Sequence, residues 1–275
     1  MLKEKEIFLR KKANYIRDEI MRVAVQNGAG HIAPSLSCVD VLIALYFECM
    51  SYDPKNPLSP DRDRLIFSKA HGCYGLYAIL ADLGVMPKEE WDNFYIEGKS
   101  SLCGCSKRKL EYGLEADCGS LGHGLPMAVG LAFGAQLQKK NYHTFCLVGD
   151  GEMQEGTAWE ALQFAVKHDL RNLIVIVDSN GLQAMDFIVN IMDKGKDDLF
   201  KRLRGFGLSP VICPGHDAVK LADCLKAAKE SSEDMPKVIL AQTVKGFGFK
   251  CMEGAPKFHF RLPTNDDLNM GRNYE

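Results

Sequence analysis

The sequence predicts a doubly wound α/β fold, with a mostly parallel β-sheet flanked by helices. Two short apolar runs, at 146–148 and 173–177, have the character of buried strands. Between them, apolar residues recur at helical spacing: Trp159, Leu162, Phe164, Ala165, Val166 and Leu170. A strand, a crossover helix and a second strand form a right-handed βαβ unit, so both strands end at the same edge of the sheet.

Apolar patterning and turn residues predict the other elements in chain order. Before the βαβ unit we expect a helix at 4–26 stopped by glycines, a helix at 39–50, a proline-containing loop at 51–64, a buried strand at 65–67 and a helix at 72–83. Little periodicity at 97–115 indicates a long functional loop, and a glycine-rich helix is expected at 119–139. After the unit we expect a polar loop at 184–195, strands at 208–213 and 238–242, and a helix at 218–230 between those strands.

The sequence gives no sign of an internal repeat or of a domain boundary. We therefore expect one domain over residues 1–263, followed by a polar and loosely ordered carboxyl-terminal tail over residues 264–275. With 275 residues and 46% hydrophobic residues, the chain can bury a substantial core.

Composition excludes several classes of function. A formal net charge of −2 and a pI near 6.4 give no basic field for nucleic acid. No apolar run has the length of a membrane span, and the Lys- and Glu-rich amino terminus lacks the pattern of a secretory signal. The protein is therefore expected to bind neither nucleic acid nor membrane and to be cytoplasmic.

Ten cysteines are distributed without the spacing of zinc ligands, so most are interpreted as reduced core residues. Cys103 and Cys105 are the exception, because they flank Gly104 beside the basic run 107–109. Nearby cations could lower a thiol pKa there, which leaves a redox or metal role open.

Polar residues follow both strands of the βαβ unit. Asp150 lies between two glycines after the first strand, and Asn180 follows the second. The shared edge is where open α/β sheets bind ligands, and carboxylate and amide oxygens suit a hard divalent cation held together with phosphate oxygens. Gly149-Asp-Gly151 and Asn180-Gly181, each taken alone, are also common turn sequences. The pair therefore predicts a metal site beside a phosphorylated cofactor.

The sequence resembles the thiamine-diphosphate-binding domain of transketolases over residues 10–263. The resemblance rests first on Gly149-Asp-Gly-Glu-Met-Gln-Glu-Gly156, on Trp159-Glu160 and on Asn180-Gly-Leu-Gln183. Further matches fall in the same order along the chain: Gly30-His31, Ser35-Leu-Ser37, Asp61-Arg62, Ser68-Lys-Ala-His71, Gly119-Ser-Leu-Gly122, Lys245-Gly-Phe-Gly248 and His259. Transketolases have two further regions, so the length indicates the amino-terminal subunit of a split transketolase.

The resemblance implies thiamine diphosphate and Mg²⁺ as cofactors, and Ca²⁺ or Mn²⁺ fit the same oxygen donors. The metal would be held by side-chain oxygens of Asp150 and Asn180 and by the Leu182 carbonyl. The implied cofactor contacts are His31, His71, Gly119, Leu121, Gly149, Asp150, Gly151, Glu152 and Asn180. Gly149 and Gly151 would let the backbone approach the phosphates without a Cβ.

The resemblance also implies catalytic groups. His31 and His259 correspond to histidines that face the thiazolium and the substrate oxygens, where an imidazole can donate a proton. His71 corresponds to a diphosphate ligand, and Glu155 to a carboxylate that pairs with the neighbouring subunit. Glu155 could also be only an early helix residue, and each histidine only a surface or capping residue.

Three positions depart from the family pattern. Gly104-Cys105-Ser106 stands where a Gly-His-Pro is usual, so a histidine is missing where sugars are held. His123 replaces a usual glutamine and either reaches the thiazolium or caps a helix, and His31-Ile-Ala-Pro34 alters a usual Gly-His-Pro-Gly. The donor pocket is therefore expected to be reshaped.

The predicted function is transfer of a two-carbon ketol unit from a ketose to an aldose, with this chain inactive alone. Its partner would be a second chain that carries the pyrimidine-binding and carboxyl-terminal domains, in an α2β2 assembly acting on small sugars. Two alternatives stay open: a ligase or lyase acting on a 2-oxo acid or a modified sugar, and a cofactor-binding subunit without catalysis.

Overall fold

The computed structural model describes residues 2–195 and 197–274, and in this part of the chain five strands form one parallel sheet. The strands are β1 Arg64–Phe67, β2 Thr144–Gly149, β3 Leu173–Ser179, β4 Val211–Pro214 and β5 Lys237–Gln242. Their order across the sheet is β1-β2-β3-β5-β4. In this register Gly149 lies opposite Asp178, which brings the ends of β2 and β3 side by side.

Helices cover both faces of the sheet. They are α1 Leu2–Asn27, α2 Ile32–Ser37, α3 Val39–Ala44, α4 Tyr74–Asp82, α5 Lys88–Asp92, α6 Gly124–Leu137, α7 Gly156–Lys167, α8 Ile188–Ile191, α9 Asp198–Gly205, α10 Ala218–Glu230 and α11 Asn265–Leu268. Single helical turns occur at Leu45–Cys49, Ala70–Gly72, Leu110–Tyr112, Gly151–Gln154 and Pro256–Phe258.

Successive strand residues point into two different cores. Phe145 and Leu147 pack with α1, α3, α4 and α10, whereas Cys146 and Val148 pack with α6, α7 and α9. Because both faces of a central strand are buried, β2 and β3 read as continuous apolar runs rather than alternating ones. The structure therefore confirms the predicted doubly wound α/β fold.

Several predicted element bounds are wrong. The helix expected at 119–139 begins only at Gly124, because Gly122 has a φ of +82° and keeps 119–123 out of the helix. The helix expected at 39–50 ends at Ala44 and continues as one π-helical turn. The polar loop expected at 184–195 contains α8, and the strand expected at 208–213 pairs with β5 only from Val211.

The carboxyl-terminal segment contains a short helix and contacts the rest of the domain. Thr264 and Asp267 form a reciprocal capping box that starts α11. Further on, the Tyr274 ring packs edge-on against Phe249, and its hydroxyl donates to Asp18 at 2.7 Å. The described residues of this segment therefore dock on the domain. Among all residues that the structure describes, no helix has both the length and the hydropathy needed to cross a bilayer.

Candidate active site

A cavity of about 250 Å³ opens at the carboxyl edge of the sheet. It lies where neighbouring strands β1 and β2 are followed by helices on opposite faces, which is a topological switch point. Its lining includes Pro34, Lys69, His71, Leu121, Gly149, Asp150, Gly151, Glu152, Gln154, Glu155, Asn180, Leu182, Gln183, Lys245 and His259. Most of the predicted site residues therefore meet in one crevice.

Asp150 follows β2 and is buried. One carboxylate oxygen accepts from the Gly151 amide at 2.8 Å, and the other accepts from the Gly181 amide at 2.6 Å. Burial raises the pKa of this carboxyl to about 7, and the nearby Asp178 adds to the increase. A divalent cation would offset that desolvation, so the position suits a metal ligand.

Asn180 and Leu182 lie beside Asp150 in the turn after β3. The Asn180 side-chain oxygen accepts from the Leu182 amide at 3.1 Å, and the Leu182 carbonyl accepts from the Lys245 ammonium at 3.1 Å. Each of these oxygens keeps a second lone pair. One carboxylate, one amide oxygen and one carbonyl fit Mg²⁺, which takes few protein ligands when phosphate completes its shell.

No group of three or more His, Cys, Asp or Glu side chains in residues 2–195 and 197–274 has the arrangement of a metal site. This agrees with the predicted donors, because only Asp150 among them belongs to those residue types. A site of this kind depends on a ligand that brings its own oxygens.

A buried ion pair between Lys69 and Asp178 lies beneath the cavity. Asp178 also accepts from the hydroxyls of Ser37 and Thr243, and the Lys69 ammonium also donates to the Pro34 carbonyl at 2.9 Å. These contacts join α2, β1, β3 and the loop after β5. Desolvation opposes the charge on Asp178, but Lys69 and the hydroxyls hold the pKa of this carboxyl below its usual value. The network fixes the floor of the site.

Lys245 was part of a matched motif, but the sequence assigned it no role. Its side chain is only 3% exposed and enters the cavity, where it donates to the carbonyls of Leu182 and Gln183 and contacts the His259 imidazole at 2.8 Å. Among the described residues it has no carboxylate within ion-pair distance. Burial and repulsion from Lys69 lower its pKa to about 8. A cation so placed favours an anionic ligand.

Three predicted histidines converge from distant segments. The rings of His31, His71 and His259 lie 5.2–5.6 Å apart, centroid to centroid. Burial, together with the nearby lysines, lowers the pKa of His31, lowers that of His71 to well below its usual value, and lowers that of His259 to about 3. All three are therefore neutral near pH 7, when each imidazole can both donate and accept a hydrogen bond.

Glu152 ties three loops together. One carboxylate oxygen accepts from the Ser68 hydroxyl and from the Gly122 amide, and the other accepts from the Gly149 amide at 3.1 Å. Burial raises the pKa of this carboxyl, although the three donors oppose that change. Its position indicates that Glu152 shapes the cavity wall.

The two glycines that flank Asp150 differ. A Cβ on Gly149 would meet only ordinary contacts, at 3.9 Å or more, so no contact within the protein requires glycine at this position. A Cβ on Gly151 would lie 3.0 Å from the Gln183 side chain. Close packing therefore favours glycine at 151 even without a ligand.

The remaining predicted residues lie at the rim or outside it. Glu155 is exposed at the amino end of α7 and lines the cavity, as does Leu121. His123 is exposed at the N-cap position of α6, where its side chain makes no capping bond, and it does not line the cavity. Its role at the thiazolium stays a prediction. Gly119 lies in a separate depression with Cys105, and its cofactor role stays a prediction.

The loop around Cys103 and Cys105 gives no support to a redox or metal role. Burial, and then the Cys103 thiol, raise the pKa of Cys105, so the adjacent cations do not activate it. All ten cysteines are free thiols.

Comparison with known proteins agrees with this architecture. Residues 9–273 match the family described as "Transketolase, thiamine diphosphate binding domain". An apulose-4-phosphate transketolase subunit from Actinobacillus succinogenes is 38% identical, with 95% of this chain and 94% of that protein covered. A 6-deoxy-6-sulfo-D-fructose transketolase subunit from a Clostridium species is 36% identical, with 94% and 92% covered.

Solved structures give the same result. Transketolase from Leishmania mexicana superimposes with a TM-score of 0.84 at 28% identity, and the match covers 95% of this chain but 40% of that one. The fold and the cavity thus define a thiamine-diphosphate-binding domain. The chain belongs to the transketolase family.

These comparisons confirm the main sequence-based predictions. The chain is the amino-terminal type of subunit found in split transketolases, since both subunit relatives are matched over nearly their whole length. Its activity class is thiamine-diphosphate-dependent ketol transfer, and it is a transferase subunit.

Proposed function

We propose that this chain is the diphosphate-binding subunit of a two-chain transketolase and that the 250 Å³ cavity holds the diphosphate and its metal. Asp150, Asn180 and the Leu182 carbonyl would hold Mg²⁺, and Lys245 and His71 would face the diphosphate. The observation that carries the proposal is the convergence of these groups on one crevice. Thiamine diphosphate supplies the carbanion chemistry, whereas the protein positions it and moves protons.

The neutral histidines support proton transfer to substrate oxygens. Because His31 and His259 are uncharged near pH 7, the N–H of either ring can donate a hydrogen bond to a substrate oxygen, and the unprotonated nitrogen can accept a proton. Glu155, exposed at the cavity rim, is positioned to meet a carboxylate of a neighbouring subunit. His123, which is exposed outside the cavity, is proposed to approach the thiazolium only in the assembled complex.

A partner chain is the second part of the proposal. Apolar side chains stay exposed next to the cavity, namely Met185, Phe187, Val189, Ile191 and Met192, and the most exposed of them, Met185, is at 79%. Such a patch favours a protein interface. We expect a chain with the pyrimidine-binding and carboxyl-terminal domains to cover it, in an α2β2 assembly located in the cytoplasm.

The donor is proposed to be a modified ketose phosphate or sulfonate rather than a common ketose phosphate. Two relatives are named for apulose 4-phosphate and 6-deoxy-6-sulfo-D-fructose. Cys105 occupies the position where the family's sugar-binding histidine is expected, which fits a changed donor. A 2-oxo acid donor and a non-catalytic subunit are the alternatives that the assay below separates.

The test combines the chain with its partner, thiamine diphosphate and Mg²⁺. Ketol transfer should appear with a ketose donor, and Asp150→Asn should weaken Mg²⁺-dependent cofactor binding by about a hundredfold or more in calorimetry, because it removes the charged ligand. The matched control Asp223→Asn changes an exposed carboxylate on α10 and should leave affinity unchanged. If the complex is inactive on all ketoses and 2-oxo acids tried, the function is wrong. Unchanged affinity of Asp150→Asn would refute the metal site.

A further inference from the structure

The loop after β5 delivers Lys245 to the cavity, and its backbone is held on both sides of that residue. The Val244 amide donates to the His216 ring nitrogen Nε2 at 2.7 Å. The Gly246 amide donates to the Ala33 carbonyl at 3.0 Å. Two hydrogen bonds to other segments therefore hold the backbone at the residue before and at the residue after the buried lysine.

His216 is itself fixed from the opposite side. Its Nδ1 lies 3.0 Å from a carboxylate oxygen of Asp40. Its ring stacks on Phe247 with centroids 3.6 Å apart and planes within 10°. Because Nε2 accepts from Val244, a neutral ring carries its proton on Nδ1 and donates it to Asp40. One orientation of the imidazole satisfies both partners.

Asp40, which contacts His216, also forms a buried ion pair with Arg17. Their ion pair joins α3 to α1, and both side chains are nearly inaccessible to solvent. The Arg17 guanidinium also lies 4.9 Å from the centroid of the Phe247 ring. The chain of contacts thus runs from α1 and α3 through His216 to the loop that carries Lys245.

The loop needs such support because it contains two glycines with positive φ and a buried lysine. Gly246 and Gly248, with φ of +82° and +101°, give it a backbone that most residues cannot adopt and that is intrinsically flexible. Lys245 is desolvated, and the charge of Lys69 repels it. A loosened backbone would let the ammonium move toward water and away from the cavity.

We propose that His216 is a positioning residue that clamps the Val244 amide and so holds Lys245 where the diphosphate of the cofactor binds. This inference rests on the proposed function. His216 lies about thirty positions before Lys245 in the sequence and does not line the cavity. The proposal therefore adds a distant residue to those that determine the affinity for the cofactor.

A pair of amide substitutions tests the clamp. In His216→Gln the side-chain oxygen can take the place of Nε2 and accept from Val244. In His216→Asn the shorter amide can replace only Nδ1, so it faces Asp40 and leaves the Val244 amide unpaired. Both variants lose the stacked ring equally, so they are matched controls for folding, which thermal unfolding checks.

Calorimetry of the complex of this chain and its partner with thiamine diphosphate and Mg²⁺ should show the Asn variant binding roughly five- to tenfold more weakly than the Gln variant, as expected for one lost hydrogen bond. Hydrogen exchange of the Val244 amide in the cofactor-free chain should be faster in the Asn variant by a similar factor. Equal affinities and equal exchange in the two variants would overturn the clamp.

The two proposals fail in different ways. If the wild-type complex of this chain with its partner does not bind thiamine diphosphate with Mg²⁺, the assignment of the cavity is wrong, and the Val244 exchange rates alone decide whether His216 holds the loop. If the wild type binds and both variants bind equally, the cavity stands and the clamp is wrong.

Discussion

Lys245 carries its ammonium group into the interior beside the Leu182 and Gln183 carbonyls. Its pKa is lowered to about 8 by burial and by Lys69, so the folded chain disfavours the charge that a diphosphate would need. Strain of this kind is common at binding sites, where a ligand later relieves it. Stability and affinity should therefore respond oppositely to loss of this charge.

Replacing the cation tests that opposition. Lys245→Met keeps most of the side-chain volume and removes the desolvated ammonium, so we expect unfolding to occur at a temperature a few degrees higher. The same variant should bind thiamine diphosphate about tenfold or more weakly, since a charge-assisted contact is lost. Thermal unfolding and calorimetry measure the two effects. Lys250→Met, at an exposed position of the same loop, is the control, and a lower unfolding temperature for Lys245→Met would contradict this account.

At the scale of one element, the start of α6 is set by the close approach of two glycines to neighbouring residues. A Cβ on Gly124 would lie 2.5 Å from the Ser68 Cβ, and one on Gly122 would lie 2.5 Å from the Glu155 Cβ. The helix therefore packs directly against the residues that follow β1 and precede α7. This approach brings Leu121 to the cavity.

Alanine substitutions at two glycines of α6 should have opposite effects. Gly124→Ala should destabilise the chain by about 1–3 kcal/mol, because the added methyl group overlaps Ser68. Gly130→Ala in the same helix meets nothing within 4 Å and should stabilise it by up to about 1 kcal/mol through helix propensity. Urea unfolding of both variants measures this difference, and equal effects would show that the helix start is not tightly packed.

At the scale of the whole molecule, the site exists because distant segments converge. His31 precedes α2, His71 follows β1, and His259 follows the turn Pro256–Phe258. Their rings meet only in the folded chain. The shared burial keeps all three neutral.

This burial makes stability depend on pH in a definite direction. Burial and then Lys69 lower the folded pKa of His71 to well below the unfolded value near 6.5, so below that pH the unfolded chain binds an extra proton. Stability should fall as pH drops from about 6.5, by up to about 1.4 kcal/mol per pH unit for one such histidine.

Asp150, whose pKa burial raises to about 7, makes stability change with pH in the opposite direction. Because Asp150 is present in both proteins, the difference in stability between wild type and His71→Gln isolates the contribution of His71. Denaturant unfolding at pH 8, 6.5 and 5 should show the wild type losing more stability than the variant. Parallel curves would mean that His71 is not held neutral.

The sequence identified the strands next to the site because buried parallel strands are continuous apolar runs with polar residues at their ends. It also placed Asp150 and Asn180 at one edge, since parallel strands end together. It could not set the start of α6, because the close approach of Gly122 and Gly124 to Glu155 and Ser68 helps decide it. It also did not predict the break in the helix at 39–50.

The linear sequence thus determined the fold class, the family and the residue types that suit a metal and a diphosphate, since these depend on local pattern and motif order. Tertiary structure decided which groups act together. The burial of Lys245, the neutral state of the three histidines and the contact of His216 with Val244 all depend on segments that are far apart in the chain. Burial and charge proximity are properties of the folded chain, so no single segment of sequence carries them.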